Sequence, residues 1–448
     1  MIKALIFFLV VLISSFSQGQ QHKNAVPTTS QLKWHEMEFY IFTHFGPNTF
    51  TDKEWGKGDE PENVFNPLSL NCRQWCRIAK AAGAKGIIIT AKHHDGFCLW
   101  PSKYSKHTVR ESKRKNGKGD VLKELSQACK EYGLKFGVYL SPWDRNHPKY
   151  GTTEYNDVFI SMMKEIFANY GPIWELWWDG ANGEGPNGKK QVYDWHRFER
   201  TVHSLYPNTL VFSDIGPDIR WVGNENGVAG ETNWNTLDTN GFTRGAGAPP
   251  TDALNHGNVY GKSWIPAECD VSIRPGWFYH KEEDEKVKTP EQLFTLYLKS
   301  VGRGANLLLN VPPDRSGLIN ENDSASLVEF QKLRVQSFGN NFIKNLHPVN
   351  LRYGHAVIDL KKPSLVNCVI LKEDLKTGQH CQQFELLLFG IKGELMKKIQ
   401  GTTIGHSRII TFPSITVSRI GVGIEKQIGL TTISKVEAYL IDAKLVEK

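Results

Sequence analysis

Residues 86–97 read GIIITAKHHDGF, a run in which an apolar stretch leads directly into polar residues. Residues 86–91 are almost continuously apolar or β-branched, which predicts a strand buried on both faces, as in a parallel sheet. The polar residues 92–95 follow at the carboxyl end of that strand. Parallel α/β barrels build their active sites at this end of the strands. The run therefore predicts a parallel strand with a candidate site at its end.

Strands and helices alternate on both sides of this run, from residue 35 to about residue 312. A strand at 40–46 precedes it, and residues 67–82 predict a helix that Gly83 ends. Asp120 is placed to cap a further helix, and Gly133 separates that helix from a strand at 134–140. Further helices are predicted at about 155–170, 192–206 and 290–301, and further strands at 173–178, 209–214, 264–267 and 305–311.

This repeated order predicts an α/β fold, a (β/α)8-like TIM barrel, because seven or eight parallel strands fit a barrel better than an open sheet. No GxGxxG follows an early strand, so a dinucleotide-binding fold has no support. After a helix near 324–338 the pattern changes to short β-prone runs separated by Gly and polar turns. We predict a barrel at 20–342 and a C-terminal all-β sandwich at 343–448.

The first nineteen residues are predicted to be a secretory signal peptide, with Lys3 as the positive start and an apolar run at 4–13. Small residues at 17–19 place cleavage before Gln20. The apolar run is too short for a permanent anchor, because a spanning helix needs about 20 apolar residues. We therefore expect an exported protein, periplasmic or secreted, with no membrane anchor.

Composition favours a globular protein that binds carbohydrate. The chain has 448 residues with a formal net charge of +7, and its basic residues cluster once, at 106–118. One such run is typical of a solvated loop, so we expect no nucleic-acid partner. The 13 tryptophans and 14 tyrosines are plentiful, and aromatic rings stack on the apolar faces of sugars.

The seven cysteines do not form the spacing of a disulfide framework or a zinc site. We interpret them mostly as buried thiols, and a Cys368–Cys381 bridge stays open. The pair His93-His94 raises a metal site as an alternative, but adjacent residues of a strand point to opposite faces and no third ligand is evident. We therefore expect no metal and no cofactor.

Four successive strand ends carry polar residues, which favours an active site over simple helix capping. The sharpest candidate is Asp179, which leaves a tryptophan-rich strand and is followed by Gly180. Glycoside hydrolysis needs two carboxyl groups, one to attack the anomeric carbon and one to protonate the departing oxygen. Asp179 alone would also fit a helix N-cap. The second carboxyl group is open at this point, and the candidates are Asp214, Asp218, Glu225, Glu231, Glu268 and Asp270.

The motifs together resemble those of the α-L-fucosidases of glycoside hydrolase family 29. The matching stretches are, in order, HFG (44–46), EWG (54–56), KHHDGF (92–97), YLSPW (139–143) and ELWWDG (175–180). The resemblance implies a retaining mechanism with a covalent glycosyl-enzyme intermediate, in which Asp179 is the nucleophile. It implies that the substrate is a fucosylated oligosaccharide or glycoprotein glycan. The implied fucose-binding positions are His44, Glu54, Trp55, His93, His94 and Tyr139, with Trp277 against the C6 methyl group.

Two later stretches, 216–225 and 272–279, resemble the subgroup that prefers α-1,3/1,4-linked fucose on branched, Lewis-type glycans. In that subgroup the Glu of the GNE segment is the acid/base, which points to Glu225. Trp178 departs from many relatives, which carry Phe there. The alternatives are a fucosidase of broad or α-1,2/1,6 preference, a retaining hydrolase for another sugar such as an α-galactosidase, and a non-catalytic fucose-binding protein.

Overall fold

A computed structural model describes residues 25–245, 250–343, 348–351 and 354–446 of the chain. The predicted signal peptide at 1–19 lies outside the described residues. Across the described ranges, no helix combines the length and the apolar character that crossing a membrane requires.

Eight parallel strands close into a barrel, which confirms the predicted fold class. Each strand pairs with its neighbours in chain order, and the last closes on the first through the register Phe39↔Leu307. The strands are β1 Phe39–Thr43, β2 Gly86–Lys92, β3 Lys135–Leu140, β4 Glu175–Trp177, β5 Leu210–Ser213, β6 Ile219–Trp221, β7 Ala267–Ser272 and β8 Asn306–Asn310.

Several helices of the barrel begin or end where the sequence supplies a cap. The side chain of Asp120 accepts a hydrogen bond from the backbone N–H of Lys123, and Gly133 ends the same helix in the left-handed conformation, with φ of 68°. The helix predicted to start at 67 begins only after Asn71, whose side chain caps it. The helices are α1 Thr29–His35, α2 Pro47–Thr51, α3 Cys72–Ala81, α4 Val121–Tyr132, α5 Glu154–Tyr170, α6 Trp195–Leu205, α7 Thr251–His256, α8 Pro290–Lys299 and α9 Glu321–Phe338.

Two strands of the barrel differ from the prediction. The strand expected at 264–267 lies at Ala267–Ser272 instead, because Pro266 has no N–H to donate to a ladder. Ser263–Trp264 instead pairs with Thr236–Leu237 in a separate small sheet. The strand Ile219–Trp221 was not predicted, since three residues are too few to show a period.

The C-terminal region folds as one antiparallel sheet in the strand order 349–351, 431–439, 355–373, 408–427, 381–389 and 395–401. The pairing of the two longest strands, His355–Glu373 and Arg408–Gln427, shifts register between Asp359 and Ser364 and between Val366 and Cys368. One hydrophobic core cluster draws on residues on both sides of these shifts, which is consistent with the predicted sandwich. The strands are β9 Val349–Leu351, β10 His355–Glu373, β11 Cys381–Phe389, β12 Leu395–Gly401, β13 Arg408–Gln427 and β14 Thr431–Tyr439.

The last helix of the barrel ends at Phe338 and the first strand of the sheet begins at Val349. The exact boundary at 342/343 stays a prediction. All seven cysteines are described, buried and free, so the Cys368–Cys381 bridge that the sequence left open does not form.

Candidate active site

A cavity of about 570 Å³ opens at the carboxyl ends of the barrel strands. The loops after β1, β2 and β4 supply most of its wall. Tyr139 of β3, the loop after β6, and β7 with its following loop supply the rest. All nine residues that the sequence singled out line this one cavity: His44, Glu54, Trp55, His93, His94, Tyr139, Asp179, Glu225 and Trp277.

Asp179 lies two residues beyond β4 and is held by two hydrogen bonds. Its Oδ1 accepts the backbone N–H of Ala181 at 2.7 Å, and its Oδ2 accepts the hydroxyl of Tyr139 at 3.1 Å. Burial raises the pKa of Asp179, while these two donors oppose the rise by stabilising the anion. Asp179 is therefore a fixed carboxylate with one edge toward the cavity, which suits a nucleophile.

Two histidines of the cavity wall are oriented through their Nδ1 atoms. Oδ1 of Asn310 lies 2.9 Å from Nδ1 of His44, so this nitrogen carries the proton. Ser141 donates its only hydroxyl proton to the carbonyl of Trp143 at 2.8 Å and lies 2.8 Å from Nδ1 of His94, which must then be the donor. Burial lowers the pKa of each imidazole to about 3. Both rings are neutral and keep Nε2 as a hydrogen-bond acceptor, and Nε2 of His94 lies 3.8 Å from Oδ2 of Asp179.

His93 and His94 do not face opposite ways, as the sequence argument assumed. The strand ends at Lys92, so the alternation of a strand does not apply to the two residues that follow it. Their ring centroids are 4.2 Å apart, and both rings line the cavity. His93 stacks on Tyr139 at 5.7 Å, and burial holds its pKa well below the usual value.

Glu225 lies on an exposed loop after β6 and lines the same cavity as Asp179. Its Oε2 accepts the indole N–H of Trp277 at 3.3 Å. Burial raises the pKa of Glu225, the negative charges of Asp179 and Glu54 raise it further, and the Trp277 hydrogen bond opposes both. Its surroundings therefore favour the protonated form of Glu225, as a general acid requires.

Glu54 lines the cavity, but its carboxylate is largely occupied by the protein. Its oxygens accept the backbone N–H groups of Trp277 at 2.8 Å and Phe278 at 3.1 Å. Nε2 of His280 lies 2.7 Å from the same carboxylate, and its Nδ1 lies 2.9 Å from Asp52. Glu54 therefore anchors the loop that carries Trp277, a role that the sequence did not predict.

The five remaining carboxylate candidates lie in different places. Asp214 lines an adjoining cavity and not this one, and burial raises its pKa. Asp218, Glu231 and Glu268 do not line the cavity: Asp218 is bound by His203 and the Val211 N–H, and Glu231 is 76% exposed near Arg303. Asp270 does line it, with Oδ1 accepting the indole N–H of Trp221 at 2.9 Å. Burial and the charge of Glu225 raise the pKa of Asp270 well above its usual value.

A second cavity of about 680 Å³ continues from the first on the side of β5 and β6. Asp179, Glu225 and Asp270 belong to the walls of both cavities. Phe212 and Trp221 give the second cavity an aromatic floor, and this floor was not predicted because both side chains resemble ordinary core residues in sequence. The site thus has room on both sides of its carboxyl groups.

The described residues contain one group with three potential metal ligands, Asp52, His280 and Glu282. Both ring nitrogens of His280 already face carboxylates, those of Asp52 and Glu54. The group lies behind Glu54, and Asp52 and His280 do not line the cavity. This group is therefore separate from the cavity that Asp179 and Glu225 line.

Behind the histidines, Lys92 and Asp144 form a fully buried ion pair, with Nζ 3.3 Å from Oδ2. Lys92 also donates to the carbonyl of Trp143 and to the hydroxyl of Tyr155. Burial raises the pKa of Asp144, but the Lys92 charge and two backbone N–H groups outweigh burial, so that pKa is lowered overall. The pair fixes the strand end from which His93 and His94 project.

Replacing Lys92 by methionine should lower the free energy of unfolding by about 3–5 kcal/mol, because a buried carboxylate would lose its counter-ion. Urea denaturation at neutral pH measures this loss. A lowered folded pKa gives stability above the unfolded pKa that is lost on acidification. The deficit of Lys92→Met should therefore shrink toward acidic pH, where Asp144 is neutral. An equal loss in the exposed control Lys103→Met would contradict the assignment.

Comparison with known proteins supports the resemblance that the sequence motifs indicated. Residues 13–333 match the family model described as alpha-L-fucosidase. Over 427 residues the chain is 40% identical to alpha-L-fucosidase 1 of Arabidopsis thaliana, an alignment that covers 88% of this chain and 83% of the plant protein.

Two solved structures are similar over nearly the whole chain. A glycoside hydrolase 29 family member from a rumen bacterium has a TM-score of 0.86 and 42% identity, covering 95% of this chain and 80% of that one. A Ruminococcus gnavus GH29 fucosidase in complex with fucose has a TM-score of 0.82 and 27% identity, covering 94% of this chain and 96% of that one.

Proposed function

Because the chain belongs to the α-L-fucosidase family, and is an α-L-fucosidase of the glycoside hydrolase class, we propose that it releases terminal L-fucose by a retaining mechanism. In this proposal Asp179 is the nucleophile and Glu225 is the acid/base. The observation that carries it is the contrast between two carboxyl groups on one cavity. Asp179 is fixed by Ala181 and Tyr139, whereas Glu225 has one long hydrogen bond and faces negative charge.

In the first step Asp179 attacks the anomeric carbon of fucose while Glu225 gives its proton to the departing glycosidic oxygen. The bond to the aglycone breaks, and a covalent fucosyl-enzyme forms. In the second step Glu225, now a carboxylate, takes a proton from water, and the resulting hydroxide replaces Asp179 on the same carbon. Two inversions leave the released fucose with its original configuration.

Fucose occupies the 570 Å³ cavity in this proposal. The accepting Nε2 atoms of His44 and His94 take hydrogen bonds from ring hydroxyls. His93, Glu54 and Tyr139 complete the polar wall, and Trp277 packs against the C6 methyl group. Trp55, which is 55% exposed, stands at the rim.

We propose that the preferred linkage is α-1,3 or α-1,4 on a branched, Lewis-type glycan. The support is the second cavity, which shares Asp179 and Glu225 with the first and offers the aromatic rings of Phe212 and Trp221. An aglycone of more than one sugar has room there, and aromatic rings suit the apolar faces of pyranoses. Fucosylated oligosaccharides and glycoprotein glycans are the substrate class.

The linkage proposal is tested by fucose release from a Lewis-type trisaccharide and from 2'-fucosyllactose, with Asp179→Ala as the blank. Release at a higher kcat/KM from the Lewis substrate is expected. Faster release from the 2'-linked sugar would keep the α-L-fucosidase and overturn the linkage preference. Release from neither would bring back the non-catalytic fucose-binding alternative.

Trp277→Phe should move the basic limb of the pH profile of kcat/KM to higher pH. Phenylalanine keeps an aromatic face but lacks the N–H that lies 3.3 Å from Glu225. That hydrogen bond lowers the pKa of Glu225, so its loss raises the pKa. A general acid with a higher pKa stays protonated, and thus active, to higher pH. Trp55→Phe is the control, since its basic limb should not move, and a downward shift in Trp277→Phe would contradict the role of Glu225.

We also propose that the protein is exported to the periplasm or secreted, on the strength of residues 1–19. The N-terminal sequence of protein recovered outside the cytoplasm should begin at Gln20. A cytoplasmic product that keeps Met1 would overturn this.

A further inference from the structure

Two glutamates lie inside the barrel beneath the catalytic cavity. Glu175 belongs to β4 and Glu268 to β7, and both residues are completely buried. Their carboxyl groups are close enough that each acts directly on the pKa of the other. Within the described ranges, neither forms an ion pair with a cation. Two buried carboxylates in contact would repel each other strongly, so at least one proton must be held there.

The donors around the pair show where that proton belongs. Glu268 accepts from the hydroxyl of Tyr40 and from the indole N–H of Trp177, the latter at 2.9 Å. Glu175 accepts from the indole of Trp34 at 3.0 Å through Oε2. Its Oε1 is buried and has no donor among the described residues. A proton on Oε1 would turn this orphaned acceptor into a donor toward Glu268.

We propose that Glu175 holds a proton that it shares with Glu268, and that Glu268 is a positioning residue for the catalytic centre through Trp177. The ring of Trp177 forms part of the cavity wall and stacks on Tyr139 at 5.1 Å. Tyr139 in turn donates to Asp179. Glu268 therefore fixes the indole on which the tyrosine partner of Asp179 rests.

The positioning role of Glu268 rests on the proposed role of Asp179, because it is observed as a change in turnover. The shared proton is a property of the barrel interior and is measured separately. The other titratable groups acting on the pair are Tyr40, which donates to Glu268, and Asp218, whose charge acts on Glu175. Asp270 and Cys269 also interact with the charge of Glu268.

Burial raises the pKa of Glu268 to about 7 and holds that of Glu175 well above its usual value. The folded chain therefore keeps protons that the unfolded chain releases above its glutamate pKa of about 4.3. When the folded state binds more protons, stability falls as pH rises. The pair should contribute such a fall from mildly acidic pH through neutrality.

Glu175→Gln tests the shared proton, because its amide donates to Glu268 and accepts from Trp34 without a titratable proton. Expected results are a shallower fall of unfolding free energy with pH and a weaker infrared C=O band of protonated carboxylic acid at neutral pH. An unchanged slope together with an unchanged band would overturn the shared proton.

The positioning role is tested by Glu268→Leu and Glu268→Gln. Leucine leaves the Trp177 N–H unpaired, and we expect kcat to fall by about 10- to 100-fold with a smaller change in KM, since misplacement by about 1 Å has such effects. Glutamine keeps an acceptor for Trp177 and should recover most of the loss. A folded Glu268→Leu enzyme with wild-type kcat would overturn the role, as would failure of Glu268→Gln to recover activity.

These outcomes are distinct from failure of the proposed mechanism. If Asp179 is not the nucleophile, Asp179 variants keep activity, whereas the pH slope and infrared band of Glu175→Gln are unaffected by that result. If Glu268→Leu does not fold, Trp177→Phe removes the same hydrogen bond from the other side. It should show the same fall in kcat, and a folded Trp177→Phe enzyme with wild-type kcat would overturn the positioning role.

Discussion

Asp179→Gly is expected to lower kcat for fucoside hydrolysis by roughly 10⁴-fold or more, the loss typical of removing a catalytic nucleophile. Asp179 is held at the cavity wall by hydrogen bonds from Ala181 and Tyr139. Its removal abolishes the covalent intermediate and leaves only binding and proton transfer. The loss is measured as release of fucose or of a phenol from an aryl α-L-fucoside.

Glycine also leaves space for a small anion where the carboxylate stood. Azide bound there should attack the anomeric carbon from the same side and restore turnover. Because only one inversion then occurs, the product should be the β-L-fucosyl azide. This product identifies Asp179 as the attacking group and not merely as a residue needed for binding or folding.

Asp218→Asn is the matched control, since it also removes one aspartate charge from a loop at a strand end. Asp218 is bound by His203 and the Val211 N–H outside the cavity. Its kcat should stay within a few-fold of wild type, and azide should have no effect. If Asp179→Gly kept its activity, or if azide gave the α-anomer, the retaining mechanism through Asp179 would be wrong.

The barrel was predictable because local and global signals agree along most of the chain. The apolar run at 86–91 and the caps Asp120 and Gly133 each determine their own element with little help from distant residues. The predictions of two later strands were wrong because the local sequence there does not indicate the strand that forms. Pro266 displaces the strand near 264–267, and Ile219–Trp221 is too short to show periodicity.

The members of the site were predictable, but several of their roles were not. A strand end specifies that a side chain reaches the cavity, whereas its hydrogen-bond partners come from distant parts of the chain. Glu54 is bound by the loop at Trp277, 223 residues later, and Trp177 by Glu268, 91 residues later. No local pattern contains those contacts. The common direction of His93 and His94 depends on the strand ending at Lys92, which the sequence does not mark.

The second large effect is expected for Glu225→Gln acting on natural glycans. A sugar alkoxide is a poor leaving group, so loss of the proton donor should lower kcat/KM by roughly 10²- to 10⁴-fold. An aryl fucoside with an acidic phenol needs little protonation and should lose much less in this step. The fucosyl-enzyme should then accumulate, because the same residue is needed to activate water, and mass spectrometry should detect one added fucosyl group.

Azide tells this variant apart from Asp179→Gly. It needs no base, so it should release the trapped fucosyl-enzyme, and a second inversion gives the α-L-fucosyl azide. Glu231→Gln is the control, an exposed loop glutamate 76% accessible to solvent, and should behave as wild type.

The competing acid is Asp270, which lines the same cavity as a buried carboxyl group with a raised pKa. If Glu225→Gln kept its activity on glycans while Asp270→Asn gave the α-azide, proton transfer would belong to Asp270. Opposite azide anomers from the Asp179 and Glu225 variants would assign each carboxyl group to its own step.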